Sequence, residues 1–128
     1  MEAGPVSLFD TGVGRESWRH QRHSEGRFDY LNQSGRPMFE AVRQLLDSWW
    51  RDLPASERLR CWKAFRSGGD SALLSAFWEM YLHRSLRAVG YRPVWHPKSR
   101  SRLTMPDFKA VGAGNFYLEA TMFGMASI

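Results

Sequence analysis

Residues 105–121 decide how this chain is read: Met105-Pro106-Asp107-Phe108-Lys109-Ala110-Val111, the turn Gly112-Ala113-Gly114, then Asn115-Phe116-Tyr117-Leu118-Glu119-Ala120-Thr121. The even positions Phe108, Ala110, Phe116, Leu118 and Ala120 are all apolar. The odd positions carry Asp107, Lys109, Val111, Asn115, Tyr117, Glu119 and Thr121. Alternation with period two marks strands that bury one face. The segment is therefore expected to be a β-hairpin with Phe108, Phe116 and Leu118 turned to the core. Pro106 suits a strand start, where no ladder donor is lost. A turn closing symmetrically on Ala113 pairs Val111 with Asn115 and sets Asp107 opposite Glu119. Directly opposed residues lie about 4.5–5.5 Å apart at Cα, and like charges placed there destabilise a sheet. A cation between them relieves the repulsion. Mg²⁺ is commonly held by one or two carboxylates plus waters, so Asp107 and Glu119 are candidate ligands for Mg²⁺ or Mn²⁺. The alternative is a pair of acids on a solvated face, with Lys109 offsetting their charge.

Upstream, helical spacing replaces alternation. Pro37 suits a first turn, and Phe39, Val42, Leu45, Leu46, Trp49, Trp50 and Leu53 then recur every three or four residues up to Pro54. A second helix is expected from about Ala55 to Arg66, with Leu59, Trp62 and Phe65 on one side and Gly68-Gly69 as its stop. A third runs from about Ser71 to Val89, capped by Asp70 or Ser71. Its apolar stripe reads Leu74, Phe77, Trp78, Tyr81, Leu82, Leu86 and Val89, with Glu79 at the margin. From there Glu79 could reach a neighbouring strand or pair with His83 one turn on. Residues 91–96 read as a strand. Between it and the hairpin, Lys98, Arg100 and Arg102 form a basic loop suited to a phosphate backbone or to solvent.

Pro106-Asp107, a short loop, and Glu119-x-Thr121, preceded by a helix carrying Glu79 and by a strand, resemble the PD-(D/E)XK nuclease superfamily. The resemblance covers roughly residues 70–121. It implies an α/β (α+β) fold, in which a helix and a small mixed sheet form an incomplete restriction-endonuclease-like core behind an N-terminal helical region. It also implies Mg²⁺-dependent hydrolysis of DNA phosphodiesters. By the same resemblance, Asp107, Glu119 and the backbone carbonyl of Ala120 would hold the metal, with Glu79 as an outer or second-metal ligand. The superfamily's lysine, two residues after the glutamate, is Thr121 here. Its role is electrostatic stabilisation of the reacting phosphate, for which Thr121 or Lys109 would be a weak substitute. A poor or inactive nuclease is expected, with a non-catalytic nucleic-acid-binding remnant or an interaction module as alternatives.

Length and composition frame this reading. The 128 residues suit one domain with a real core. Hydrophobic content of 43%, with six Trp, four Tyr and eight Phe, argues for a folded chain rather than disorder. A lone cysteine, Cys61, excludes an internal disulfide framework, suits a reducing cytoplasm and reads as packing. No secretory signal and no membrane-spanning apolar run is legible. The net charge of +5 rests on 15 arginines against three lysines. Arginine forks bind phosphate well, although an arginine bias has other origins.

Residues 1–36 are polar and glycine-broken, with Arg15, Arg19, His20, Arg22, His23 and Arg27 interleaved with Trp18 and Phe28. They are expected to form a basic arm or a loop and short helix anchored by Trp18, Phe28 and Tyr30. Residues 37–128 are expected to be a single helical and sheet domain. The chain ends seven residues past Thr121, without the further helix and strand of the superfamily core. That ending suggests a truncated product, or a homodimer or other partner covering the open sheet edge.

Overall fold

In the computed structural model, which describes residues 4–95 and 108–118, four helices precede a three-stranded sheet. The helices are α1 (Arg27–Gln33), α2 (Pro37–Arg51), α3 (Ala55–Ser67) and α4 (Gly69–Ala88). The strands are β1 (Arg92–Trp95), β2 (Phe108–Val111) and β3 (Phe116–Leu118). This is the mixed α and β composition that the sequence predicts. The chain divides into two compact units, Met1–Phe77 and Trp78–Ile128.

In the N-terminal unit, α2 starts at Pro37, as its fixed φ favours, and buries Leu46 and Trp50, with Leu53 buried just beyond. The Trp50 indole N–H donates to the Arg58 carbonyl at 2.8 Å, joining α2 to the first turn of α3. The apolar stripe is narrower than the spacing suggests. Leu45 is 51% exposed, while Arg43 takes a buried place on α2. Its Nη1 donates to the carbonyls of Leu31 and Ser34, both at 2.7 Å. Those carbonyls lie at the C-terminal end of α1, where backbone acceptors are left over and a cation is favoured. Cys61 and Phe65 are the buried residues of α3, in line with a packing role for the cysteine. Gly68 caps α3, and Gly69, where α4 begins, has φ of +81°, a left-handed conformation that glycine adopts freely.

The segment before α2 is tied down rather than trailing. Leu8, Phe9 and Tyr30 are buried, and Phe9 stacks on Phe28 with ring centroids 5.6 Å apart. Trp18, expected as an anchor, is 62% exposed. Most of the local arginines bind within the chain. Arg15 donates to the Asn32 and Asp10 carbonyls, Arg19 forks onto Glu25, and Arg36 reaches the Trp18 carbonyl.

In the C-terminal unit the strand order is β1-β2-β3, and both ladders are antiparallel, so the described sheet is a meander rather than a mixed sheet. Phe108 faces Leu118, Lys109 faces Tyr117 and Ala110 faces Phe116. This is the register expected of a turn centred on Ala113. Phe108 and Ala110 are fully buried, whereas Lys109 and Val111 are half-buried. The period-two pattern in β2 thus reports its core face correctly. Phe116 shares that face through its pairing with Ala110, yet it is 40% exposed. Among the described residues, β3 is flanked by β2 alone, so Phe116 is covered from one side, where Tyr91 meets it edge-on at 5.2 Å.

The buried face of α4 differs from the stripe that spacing suggests. Leu73, Ala76, Met80, His83 and Leu86 are buried, as is Glu79. Trp78, Tyr81 and Val89, all expected inward, are 42%, 43% and 69% exposed. Apolar residues surround this helix, so periodicity alone does not select the side that meets the sheet. Leu86 forms a core with Phe108 and Ala110, and Leu82, Tyr91, Trp95 and Leu118 pack against it.

Candidate functional site

Alternation fixes which residues of the hairpin share a face. Lys109, Val111 and Tyr117 lie on the side away from the Phe108 core, and the pairing of Lys109 with Val94 and of Val111 with Arg92 continues that side onto β1. The Lys109 ammonium stands 5.9 Å from the centre of the Tyr117 ring. A cation at that distance is attracted to the negative face of an aromatic ring. Lys109 is therefore held on the outer face by its cross-strand neighbour, and an ammonium is available there.

Glu79 is positioned by the path of α4. The Leu86 carbonyl accepts the Tyr91 N–H at 2.9 Å, just before β1 begins. The His83 ring lies 5.4 Å from the ring of Trp95, where β1 ends. Within this unit α4 therefore runs antiparallel to β1. Glu79 comes one turn before His83, toward the end of the sheet marked by Trp95, Phe108 and Leu118. It is 7% exposed and His83 is 5% exposed. Two polar side chains thus occupy the inner face of α4 while Trp78 and Tyr81 occupy the outer one. Such a reversal of local preference is expected where function or a polar network overrides packing. The signal available in sequence was the four-residue spacing of Glu79 and His83, and its burial was not legible because neighbouring apolar residues offered a better stripe.

Asp107, Glu119, Ala120 and Thr121, and the basic residues Lys98, Arg100 and Arg102, lie outside the described residues. Of the candidate site residues, Glu79 and Lys109 are the two whose surroundings are described. Among the described residues no group of three or more His, Cys, Asp or Glu forms a metal cluster. No helix among them is long and apolar enough to cross a membrane.

Comparison with models of known protein families, with curated proteins and with solved structures finds no match to this chain.

Proposed function

We propose that this chain is a metal-dependent, nuclease-like protein acting on DNA phosphodiesters, weak or inactive in its present form, and working in the cytoplasm. The observation that carries the reading is the hairpin register. Phe108 faces Leu118, Lys109 faces Tyr117 and Ala110 faces Phe116. If the ladder continued by one pair, Asp107 would stand against Glu119. Two carboxylates at cross-strand distance repel each other in a dry or half-dry setting, and their oxygen donors fit a hard divalent ion such as Mg²⁺ or Mn²⁺. Glu79 lies near the same end of the sheet, on its helix-covered side. A helical turn advances about 5.4 Å and a strand residue about 3.3 Å. One turn beyond the His83–Trp95 contact is therefore about level with the row that follows Trp95, Phe108 and Leu118. Glu79 would lie on the helix side of the sheet, the face opposite Asp107 and Glu119, and would reach the ion around the strand ends as an outer ligand, with the Ala120 carbonyl as a further donor.

A divalent ion bound there would polarise a phosphate oxygen and lower the pKa of a water molecule. The chain's own residues would do the rest. Asp107 and Glu119 would hold the charge in place, and Lys98, Arg100 and Arg102 would neutralise flanking phosphates. Thr121 offers a hydroxyl donor without charge, and Lys109 offers an ammonium one strand away. Losing one well-placed electrostatic contact costs roughly 100- to 1,000-fold in rate, which is why weak turnover follows from Thr121.

The test is cleavage of plasmid DNA with Mg²⁺ or Mn²⁺ by the native chain, Thr121→Lys and Glu119→Gln. The reading expects little cleavage by the native chain, more by Thr121→Lys and none by Glu119→Gln. Strong native cleavage that Thr121→Lys leaves unchanged contradicts the role given to the threonine. The second reading, an interaction module, draws on Trp78 and Tyr81, which pack edge-on at 5.6 Å while both remain exposed. A second copy or another partner at the sheet edge belongs to that reading. A chain that neither cleaves DNA nor shows salt-sensitive nucleic-acid affinity would favour it.

A further inference from the structure

A cleft of about 220 Å³ opens in the N-terminal unit between residues 7–15 and α2. Three arginines and three acids line it, so its formal charges cancel. Its hydrogen bonds do not. Asp10 accepts from Arg66 at 2.6 Å on one oxygen and from Asn32 at 2.8 Å on the other. Asp47 likewise accepts from the Leu8 N–H at 2.8 Å and from Arg51 at 2.5 Å. Both acids are thereby engaged by partners of their own. Arg15 and Arg43 remain, with the exposed Glu40 as their counter-charge.

Those two arginines meet neutral acceptors. Among the described residues, Arg43 donates through Nη1, to the Leu31 and Ser34 carbonyls. Arg15 donates through Nε and Nη2 to the Asn32 and Asp10 carbonyls, and at 3.4 Å to the Asn32 side-chain oxygen. A carbonyl satisfies a donor without cancelling its charge. Arg43 is 8% exposed, so it carries that charge largely out of water. Burial, and then the neighbouring Arg15, push its pKa down, while Glu40 acts the other way. A buried guanidinium beside a second one is costly unless an anion joins them.

We propose that this cleft binds a small oxyanion-bearing molecule, a phosphate or carboxylate, against Arg43 and Arg15. Guanidinium forks match both groups bidentately. Thr11 and Gln44, which also line the cleft, supply further polar contacts. The volume is below the roughly 300–1,000 Å³ of sites for drug-sized ligands, which selects a small molecule over a polymer. Glu40 sits in the first turn of α2 and opposes the ligand's charge. The proposal is independent of the nuclease reading, because none of its residues belongs to the hairpin.

The experiment titrates the full chain with inorganic phosphate and, separately, with succinate, against sodium chloride at equal ionic strength. Affinity is read by calorimetry and the Arg43 Nε–H resonance is followed by NMR. At least one of the two anions should bind saturably and shift that resonance, while chloride does neither. Phosphate alone identifies a phosphate ester as the ligand class, and succinate alone a carboxylate. Glu40→Gln, at an exposed position that leaves the fold intact, should tighten binding by about two- to five-fold, the scale of one exposed charge interaction. Binding by neither anion, an unmoved Arg43 resonance, or an affinity that Glu40→Gln leaves unchanged would overturn the proposal.

Discussion

The two units of this chain use charge in opposite ways. In the N-terminal unit, arginines bind the chain to itself: Arg15, Arg36, Arg43, Arg58 and Arg66 all donate to backbone carbonyls. Arg66 also lies over the rings of Phe28 and Trp62, at 4.9 and 5.0 Å. In the C-terminal unit, β2 and β3 carry their polar side chains on one face, and Lys109 stands over the aromatic ring of Tyr117. A basic composition therefore has two meanings here. Much of the arginine count belongs to the scaffold, and the case for a phosphate partner rests on a few placed groups instead of on net charge.

That contrast can be broken first where the packing is tightest. Phe108 is fully buried in the sheet unit, and Phe108→Ala should cost about 3–5 kcal/mol. Chemical denaturation followed by far-ultraviolet circular dichroism measures it. A loss below about 1 kcal/mol would mean that the hairpin does not build a core. Arg43→Met probes the other unit, since it removes two charged hydrogen bonds to carbonyls at the end of α1. A charge-assisted bond contributes about 1.5–3 kcal/mol, and a loss in that range is expected. No loss would place the arginine among dispensable surface charges.

Backbone fit supplies a third test. A Cβ added at Gly68 would meet the Ala72 Cβ at 2.5 Å and the Ala64 carbonyl oxygen at 3.0 Å. Gly68→Ala should destabilise by roughly 1–3 kcal/mol through overpacking, although alanine is the better helix former. A stabilised variant would show that the α3–α4 junction opens readily.

The smallest effect concerns pH. The Arg19 guanidinium holds the Glu25 carboxyl at about 2, below its ordinary 4.5. A depressed folded pKa stabilises the native state above the unfolded value. That contribution is complete above pH 4.5 and is lost as pH falls through about 2. Glu25→Gln should flatten the acid side of the stability profile between those limits, and leave its slope near neutral pH unchanged. An unaltered acid limb would show that the Arg19–Glu25 pair does not persist in solution.

How far the sequence could be read followed the regularity of its pattern. The hairpin was legible down to register because strict alternation and a symmetric glycine-bounded turn admit one pairing. Helices α2 and α3 were legible from Pro37, Pro54 and the Gly68-Gly69 stop. The buried face of α4 was not. Trp78 and Tyr81 are more apolar than Glu79 and His83, and spacing alone cannot report that the sheet covers the other side. The role of Arg43 was hidden because arginine rarely occupies a core position, and its carbonyl partners Leu31 and Ser34 become neighbours through the turn between α1 and α2. Of the candidate site, sequence supplied Asp107, Glu119 and Glu79 as candidates, while the ring beneath Lys109 and the cleft at Arg15 and Arg43 required three dimensions.

On the proposed reading, Asp107 and Glu119 would face each other across the hairpin and hold a divalent ion. Mn²⁺ is paramagnetic and broadens the NMR signals of nearby nuclei, so it reports its own location. Titration of the native chain with Mn²⁺ should broaden the amide signals of Phe108, Lys109 and Leu118 before those of the N-terminal unit. Asp107→Asn, which removes the charge and nearly preserves shape, should abolish that selectivity. Broadening that spares the hairpin, or that is identical in Asp107→Asn, would contradict the claim.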